Sequence, residues 1–494
     1  MKSFTTNYKL LTFVAALVLI AGCKQPETIV IEDSPTAVAP SDTTEQDVSN
    51  QASFRKLVIG EYNSISSLDP LFATNASSMR MIQLVYEGLV RLDANNEIVP
   101  GMAKRWEISS DSLTYTFHLK DNIFYHDSDN FSAGTGRKMV AKDVKFVFER
   151  MARAGVPPTA AQLFMDIKGF DPYYHEQRNV YYPGDRKRGG VTGIEAPNDT
   201  TVVFELSENE PEFLKKLATP LAVIYPQEAV GATVESFSPI GTGPFRFSSR
   251  EPDSTLIFSK FQNYYNTSDI QLNRVDVEVN SSESQLFRAM GSGDIHLLPQ
   301  LGPQLVQSLL NENGQLNSSY EQRYDFQQTN GFTEFVLRYN PNSYLTASDA
   351  ETIANLISSD STSYFGQFPN SIIRPVSAAG STDSLNLPDQ VYTVFSEDPF
   401  VRTFLGSFSN KLKQYNTQLQ MMEIRAPSQN TGLFFTQSYP LISDTEWKSY
   451  QPLFRFRVAQ TTLMRSEISE LNFNAYPWWF DLRGVTVPSA ETLN

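Results

Sequence analysis

Alternating and helical spacings of apolar residues follow one another along most of the chain. Apolar and polar residues alternate in 113–119 and again in 202–206, which predicts strands with one buried face. Apolar residues recur at helical spacing in 79–90, 143–152 and 286–290, which predicts amphipathic helices. Further strands are predicted at 54–60, 245–247 and 295–298. Because strands and helices alternate without a repeat period, the pattern predicts mixed α/β lobes.

The beginning of the chain has a different pattern. Two lysines precede an apolar run at residues 10–20, which is too short to span a membrane and is typical of a secretory signal. The run ends in Ala21, Gly22 and Cys23, which together resemble a bacterial lipobox. Residues 1–22 are therefore predicted to be a lipoprotein signal peptide, with Cys23 as the lipidated mature N-terminus. The alternative is an ordinary signal peptide with Cys23 present by chance.

The next stretch, residues 23–52, is rich in Ser, Thr, Pro, Asp and Glu and poor in aromatic residues. Such a composition cannot bury enough apolar surface to offset the entropy lost on ordering. We therefore expect a flexible tether between the membrane-bound lipid and a folded body that begins near residue 53.

Charge and cysteine content exclude some functions. The formal net charge of −15 argues against a nucleic-acid partner, which would favour a basic face. Cys23 is the only cysteine in the chain, so the body has neither disulfides nor cysteine-based catalysis or metal binding.

Motifs for catalysis or metal binding are incomplete. The loop that starts at residue 127 has no Gly at the sixth position and no Glu at the twelfth position of a calcium loop. The glycines at 134 and 136 have the wrong spacing for a phosphate loop. The four histidines are scattered, and the chain has no Gly-x-Ser-x-Gly elbow. We therefore predict no catalytic residues, no metal site and no cofactor; a secreted hydrolase is the enzyme alternative.

Short motifs with a defined order run through the first three hundred residues. They are 84–90 (LVYEGLV), 98–106 (IVPGMAKRW), 115–127 (YTFHLKDNIFYHD), 141–150 (AKDVKFVFER), 241–245 (GTGPF) and 293–295 (GDI). In this order they resemble the solute-binding proteins of family 5, the dipeptide and oligopeptide binders of ABC importers. The later segments 337–340, 433–440 and 452–454 resemble strands of the same family more loosely.

The resemblance implies an α/β, bilobal fold of the periplasmic-binding-protein type II class, with an extra subdomain in the first lobe. Ligand would be held between two lobes that close about a hinge. The expected boundaries are 53–90, 194–300 and 458–494 for the first lobe, 91–193 for its extra subdomain, and 301–457 for a shortened second lobe.

The same resemblance implies a function and partners. The protein would capture peptides or peptide-like solutes and deliver them to the permease subunits of an ABC importer. We expect a monomer in the periplasm or cell envelope, lipid-anchored to a membrane outside the cytoplasm. Two different functions remain open: a binder of a non-peptide solute, such as a metal chelate or a sugar, and a surface or structural lipoprotein that has lost transport function.

Three groups of residues are candidates to contact the ligand. They are Thr74, Asn75 and Ser77 after an Asp-Pro loop, Tyr339 and Asn340 at a strand end near the lobe crossing, and Gln437, Ser438 and Tyr439 in the segment 433–440. A solvated loop is the alternative for the first group, and hinge structure is the alternative for the second. Trp478 and Trp479 are expected to lie in the core.

Two positions depart from the family pattern. Val140 lacks the side-chain oxygen that usually caps the following helix. Ser438 stands where peptide binders of the family have an Asp, the natural partner of a peptide ammonium group. With Ser438 at this position, the ligand is a peptide without a free α-amine, a peptide held through another acid, or not a peptide. The alternative is that the alignment of segment 433–440 with the family pattern is displaced by a few residues.

Overall fold

Strands and helices in the body follow the hydrophobic pattern of the sequence. The computed structural model describes residues 55–233, 236–251, 255–311, 313–364, 373–375, 389–394, 398–414, 416–418, 420–424, 431–442 and 450–487. The predicted signal peptide, Cys23 and the tether lie outside these residues.

Among the described residues, the strands and helices have the following bounds. The strands are β1 (Lys56–Glu61), β2 (Val90–Leu92), β3 (Ile98–Pro100), β4 (Ala103–Ile108), β5 (Thr114–Leu119), β6 (Ile194–Asn198), β7 (Thr201–Glu205), β8 (Phe245–Arg250), β9 (Leu256–Lys260), β10 (Arg274–Val279), β11 (Leu297–Leu298), β12 (Tyr324–Tyr339), β13 (Ile373–Pro375), β14 (Gln390–Val394), β15 (Gln420–Ile424), β16 (Leu433–Ser438), β17 (Gln451–Arg465), β18 (Asn472–Phe473) and β19 (Phe480–Asp481). The helices are α1 (Ala76–Val85), α2 (Ala141–Met151), α3 (Pro158–Gln162), α4 (Phe170–Asn179), α5 (Phe213–Leu217), α6 (Glu283–Ser292), α7 (Pro303–Leu309), α8 (Ala347–Tyr364) and α9 (Pro399–Leu412). None of these helices is both long enough and apolar enough to cross a membrane.

A large mixed sheet runs through the described body. Its strand order is β16-β12-β17-β11-β1-β10-β9-β8, and β13 pairs with β17 at the side of this path. β1 pairs in parallel with both β10 and β11, whereas the outer strands pair antiparallel. The chain therefore forms a mixed α/β architecture, as predicted.

A smaller antiparallel sheet has the order β4-β5-β7-β6. β4 and β5 lie in the stretch 91–193 predicted as the extra subdomain, whereas β6 and β7 follow it in the chain. Along β5, the buried side chains alternate with less buried ones, which confirms the prediction from the alternating pattern. Phe117 and Phe148 both pack edge-on against Phe204, with ring centroids 5.8 Å and 5.1 Å away. These contacts fix α2 on one face of the sheet.

Among the residues that the structure describes, the buried apolar side chains form two clusters, and β1 with the residue after it contributes to both. Leu57 and Ile59 belong to the first cluster, whereas Val58 and Tyr62 belong to the second. This division follows from strand geometry, since successive side chains point to opposite faces. The second cluster also takes in Leu286 of α6.

One predicted helix is shorter than expected. The pattern of residues 79–90 predicts a helix up to Val90, but α1 ends at Val85 and Tyr86 has extended backbone angles. Glu87 then forms a β-bridge with Ile224, so the chain beyond Val85 pairs with a neighbouring segment. The apolar spacing could not distinguish these two arrangements because both bury the same side chains.

The start of α2 compensates for the missing cap at Val140. Asp143, in the first turn, accepts a hydrogen bond from the backbone nitrogen of Val140 at 3.0 Å. Arg137 donates to both oxygens of the same carboxylate, at 2.7 Å and 2.8 Å. A side chain one turn further along thus satisfies a donor that would otherwise lack a partner.

A buried ion pair connects β1, α1 and the C-terminal segment. Arg80 is fully buried and Glu61 is 1% exposed. The Arg80 Nε atom donates to Glu61 Oε1 at 2.6 Å, and another guanidinium nitrogen donates to the backbone oxygen of Pro477. Ser77 also donates to Glu61, at 2.6 Å.

We expect Arg80→Met to lower the free energy of unfolding by about 3–5 kcal/mol, because Glu61 would remain as an unpaired buried charge. Urea unfolding monitored by tryptophan fluorescence would measure the change. The matched control is Lys168→Met, since Lys168 pairs with Glu205 at the surface, where their side chains are 54% and 47% exposed. The control should change stability by less than about 0.5 kcal/mol, and an equal effect of both substitutions would contradict the prediction.

Candidate functional site

The ends of several strands lead into one polar region of the described body. Tyr62 and Asn63 follow β1, and Glu283 begins the helix that follows β10. Asp398 comes after β14, immediately before α9. Since ligands of open α/β sheets bind beyond the carboxyl ends of the strands, these residues mark a candidate site.

Asp398 joins three separate elements through its carboxylate. Its Oδ1 atom accepts from the backbone nitrogen of Val401 at 3.1 Å, which caps α9. Its Oδ2 atom accepts from Gln437 Nε2 at 3.1 Å and from the Tyr62 hydroxyl at 3.4 Å. The end of β1, the start of α9 and the end of β16 therefore meet at this side chain.

Tyr439 connects β16 to the first turn of α1. Its hydroxyl accepts a hydrogen bond from the backbone nitrogen of Ala76 at 3.1 Å and donates to Gln437 Oε1 at 3.2 Å. Its ring packs edge-on against Trp478, with centroids 5.8 Å apart. Gln437 is thus held at both ends of its amide, by Asp398 and by Tyr439.

Glu283 lies beside the segment that leads from β11 to α7. Its Oε2 atom accepts from the backbone nitrogen of Leu305 at 3.0 Å. The carboxylate packs against Gly302, where an added Cβ would lie 1.7 Å from Oε1, so a side chain at position 302 would displace the Glu283 carboxylate. Burial raises the pKa of Glu283 to about 7; the hydrogen bond from Leu305 opposes this rise, and the charge of Asp398 adds to it.

Tyr62 lies within electrostatic range of both acids. Burial is the main cause that raises the pKa of Tyr62 well above its usual value, and the charges of Asp398 and Glu283 raise it further. The side chain of Asn63 also acts on the Tyr62 hydroxyl. Asn63 is 5% exposed, and its Oδ1 atom has no hydrogen-bond partner among the described residues. We refer to Tyr62, Asn63, Glu283, Asp398 and Gln437 as the acidic end of the site.

The first group of predicted ligand-binding residues lies at the start of α1. Thr74 is exposed, and its hydroxyl donates to Ser66 Oγ at 3.2 Å. Asn75 caps α1 by accepting from the backbone nitrogen of Ser78 at 2.8 Å. Ser77 is fully buried and serves the Glu61–Arg80 pair. The structure therefore brings Asn75 close to Tyr439, through their shared neighbour Ala76.

Tyr339 and Asn340 lie at the other end of β16 from the acidic end. Tyr339 is opposite Leu433 in the β12–β16 register, whereas Ser438 is opposite Glu334. Five residues of strand correspond to about 17 Å. Both residues are buried, and the Tyr339 hydroxyl donates to the backbone oxygen of Leu345 at 2.7 Å.

Gln437, Ser438 and Tyr439 are consecutive, so they do not all face the same way. Gln437 and Tyr439 share a face of the strand and bond to each other. Ser438 lies on the opposite face by alternation. Its cross-strand neighbour Glu334 pairs with Arg457, with Nε and Oε1 2.9 Å apart.

Tyr62, Glu283 and Asp398 were not among the residues predicted from sequence. A signal for Asp398 was present, since Asp before Pro at the start of a helical pattern is typical of an N-cap. Tyr62 lies two residues after the end of the predicted strand 54–60. Glu283 has no local signal, because its position depends on Gly302 and Leu305 on a different element.

Comparison with known families gives a match over half of the chain. Residues 97–351 match the family described as "Bacterial extracellular solute-binding proteins, family 5 Middle". The matched range contains the smaller sheet and the strands β8–β12.

Individual relatives extend the comparison. The chain is 27% identical over 230 residues to the dipeptide-binding protein of Escherichia coli, which covers 44% of this chain and 39% of that protein. It is 30% identical over 199 residues to heme-binding protein A of Haemophilus influenzae, and this match covers 39% of this chain and 33% of that protein. The chain thus spans less than half the length of these curated relatives.

A solved structure superposes on a larger part of the chain than these sequence matches cover. OppA of Listeria monocytogenes, solved with bound peptide, superposes with a TM-score of 0.67 at 14% identity and covers 88% of this chain and 99% of that one. At this level of identity the agreement concerns the fold, which is the bilobal α/β fold expected from the sequence.

The raised pKa of Glu283 predicts a pH dependence of stability. Its usual value is 4.5 and its folded value is about 7, so between these values the unfolded chain releases a proton that the folded chain retains. Stability therefore falls as pH rises through this window and is constant above it. Relative to Glu283→Gln, the unsubstituted protein should lose about 1–3 kcal/mol between pH 4.5 and about pH 8.

Urea unfolding of both proteins at the two pH values measures this difference. A stability difference between the two proteins that does not change with pH would show that Glu283 titrates normally in the folded state.

Proposed function

Because the chain belongs to the family 5 extracellular solute-binding proteins, which bind substrates and are not enzymes, we propose that it captures peptides or peptide-like solutes between two lobes. One observation carries the proposal: Tyr62, Ala76, Asp398 and Tyr439 come from four distant elements and meet beyond the strand ends. The dipeptide-binding relative and the peptide-bound structural neighbour support peptides as the solute class.

The polar character of this region suits a peptide. A peptide backbone carries one donor and one acceptor per residue, and their burial requires partners. Tyr, Gln, Asn and carboxylate side chains supply both kinds of partner.

The lobe boundaries belong to the same proposal. We assign 53–90, 194–300 and 458–494 to the first lobe, 91–193 to its extra subdomain and 301–457 to the second lobe. The first apolar cluster draws mostly on residues assigned to the first lobe and its extra subdomain, and the second cluster draws mostly on residues assigned to the second lobe, which supports this assignment. The packing of Leu286 in the second cluster supports a position of α6 at the junction of the lobes.

Delivery and anchoring complete the proposed function. The mature protein is held to a membrane outside the cytoplasm through lipidated Cys23 and passes its ligand, as a monomer, to the permease of an ABC importer. Family membership supports the extracytoplasmic role. The lipobox-like end of the apolar run supports the anchor.

A non-peptide solute is the second candidate. The heme-binding relative from Haemophilus influenzae, at 30% identity, favours a metal chelate over a sugar as that solute. Native mass spectrometry of the purified protein discriminates between a peptide and a chelate, because peptides and a macrocyclic chelate differ in mass pattern and in absorption. Recovery of peptides supports the proposal, and recovery of a chelate contradicts it.

We expect Gln437→Ala to weaken binding of the main co-purifying peptide about 10-fold, because Gln437 orients Asp398 and Tyr439 and its loss leaves polar groups without partners. Isothermal titration calorimetry measures the affinity. Ser438→Ala is the matched control, since Ser438 is the next residue on the opposite strand face, and we expect it to change affinity less. Unchanged affinity in Gln437→Ala would remove Gln437 from the site.

Anchoring is tested separately. We expect Cys23→Ser to abolish incorporation of labelled palmitate and to move the protein from the membrane fraction to the soluble fraction of the envelope, because serine has no thiol to acylate. Continued membrane association without label would favour the ordinary signal peptide. Ligand binding by the body should be unaffected.

A further inference from the structure

A loop with exposed tyrosines and basic residues follows α4; we call residues 180–190 the basic loop. Tyr181 is 85% exposed and Tyr182 is 67% exposed, more than any other large apolar or aromatic side chain in the described part of the chain. Lys187 and Arg188 of the same loop are also exposed. Single exposed aromatic residues are common on protein surfaces, but an adjacent pair beside exposed cations marks an interaction surface.

The basic loop is held at its base, so its exposed side chains have a defined place. The Arg186 guanidinium donates to the side-chain and backbone oxygens of Gln177 in α4, at 2.7 Å and 3.2 Å. The Glu176 carboxylate accepts from the backbone nitrogens of Lys187 and Arg188, at 3.0 Å and 2.9 Å. These bonds fix the backbone of the loop and leave the Lys187 side chain exposed to solvent.

An open groove of about 530 Å³ adjoins the basic loop. Three cationic side chains contribute to its lining: Lys145 of α2, Lys187 and Arg188. A Cβ added at Gly189 would meet no atom within 4 Å, so the groove opens to solvent there. Lys145 lies 3.9 Å from Glu149, which is the acid that lies beside the groove on α2.

Cations outnumber acids in this part of the surface. Residues 176–188 contain four basic and two acidic residues, whereas the whole chain has a formal net charge of −15. Glu176 pairs with Arg188 at 3.4 Å, and Lys187 forms no ion pair with any residue that the structure describes. The basic loop is therefore a local positive surface on an acidic protein, and the partner that it fits is anionic.

The two tyrosines distinguish among anionic partners. The planes of Tyr181 and Tyr182 are inclined at 89° to each other, so the rings form no flat platform on which a sugar ring or a base could stack. Two such rings bury about 300–500 Å² at most, whereas a specific protein interface takes about 800 Å² from each partner. A membrane surface requires neither, because tyrosine rings lie at the level of the headgroups and basic side chains attract anionic lipids.

We propose that the basic loop docks the body on the anionic headgroups of the membrane that carries its lipid anchor. Tyr181 and Tyr182 lie among the headgroups, and a lipid phosphate occupies the groove between Lys145, Lys187 and Arg188. The inference rests on the anchoring in the proposed function and goes beyond it, because it gives the anchored body an orientation.

The anchor keeps the basic loop within reach of lipid. Arg55, the first described residue, lies 32 residues after Cys23, and a chain of that length spans at most about 110 Å. A weak contact between the loop and the headgroups therefore acts at a high effective concentration. Attraction between exposed charges falls off within about 8 Å at physiological salt, so docking holds this face directly against the membrane.

The first experiment uses the mature chain, residues 23–494 with Cys23→Ser, which carries no acyl chain. Co-sedimentation is measured with vesicles of phosphatidylglycerol and phosphatidylcholine in equal parts, and with vesicles of phosphatidylcholine alone. We expect binding to the anionic vesicles to be at least about 10-fold stronger at about 50 mM salt and to be lost at about 0.5 M salt, because salt screens exposed charges.

The net charge makes this comparison informative. A negative chain is repelled by anionic vesicles as a whole, so preference for them requires a local basic surface. Equal binding to both kinds of vesicle, or binding to neither, would overturn the proposal.

The second experiment locates the surface with two double substitutions at exposed positions. Lys187→Gln with Arg188→Gln removes two charges that attract anionic lipid. Tyr181→Ser with Tyr182→Ser removes the rings that lie among the headgroups. We expect each pair of substitutions to weaken binding to anionic vesicles at least about 5-fold, with an unchanged melting temperature.

The matched control is Lys104→Gln with Arg105→Gln. These residues are another exposed Lys-Arg pair, and Arg105 also pairs with an acid, Glu107. The control changes the net charge by the same amount and should bind vesicles as the unsubstituted chain does. A loss equal to that of the basic-loop variants would show that net charge, and not this loop, governs binding.

The outcomes separate this inference from the function on which it rests. Vesicle binding that survives both loop variants would overturn docking and leave anchoring and solute capture in place. Absence of palmitate at Cys23 would contradict the anchoring and, with it, the docking of an anchored body. Reduced solute uptake by cells carrying Lys187→Gln with Arg188→Gln, without any loss of vesicle binding, would assign the loop to a protein partner and overturn lipid docking.

Discussion

The buried pair of Glu61 and Arg80 is the interaction on which the arrangement of the site depends. Glu61 ends β1 immediately before Tyr62, and Arg80 lies one turn after Ala76 in α1. The pair therefore lies beside two of the points at which the second half of the chain contacts the first, through Asp398 and Tyr439. Since charges this deeply buried are tolerated only when they are paired and hydrogen-bonded, neither element can shift alone. The bond to Pro477 adds the C-terminal segment to the same unit.

β1 is also where the two apolar clusters meet. Its alternating side chains enter opposite clusters, so this one strand contributes to both clusters. Polar groups cannot be placed within either cluster without partners. The position just beyond the end of β1, next to both clusters, is therefore the natural place for a polar site, and Tyr62 and Asn63 occupy it.

Local pattern was enough to predict much of the fold, but less of the site. The alternation in 113–119 identified β5, and the spacing in 143–152 identified α2, because each pattern reflects one buried face. The helix predicted to reach Val90 ended early because bridge formation by Glu87 is a tertiary effect. Asp398 and Tyr62 are 336 residues apart, and no local pattern predicts that they meet. Motif resemblance selected Gln437 and Tyr439, which do lie beside α1, yet it could not show that Ser438 faces away from them.

The acid expected at position 438 illustrates how such a site can be built in more than one way. The physical requirement is a carboxylate at a given point in space, and the ends of β1 and β16 meet the start of α9 at Asp398. Any of them can supply the charge, provided that its side chain is held there and its partners remain satisfied. Here the holding contacts are present for Asp398 and Glu283, through Gln437, Tyr62 and Leu305. A serine at the expected position therefore does not imply a site without charge. It shifts the question from one residue to the electrostatics of the whole strand edge.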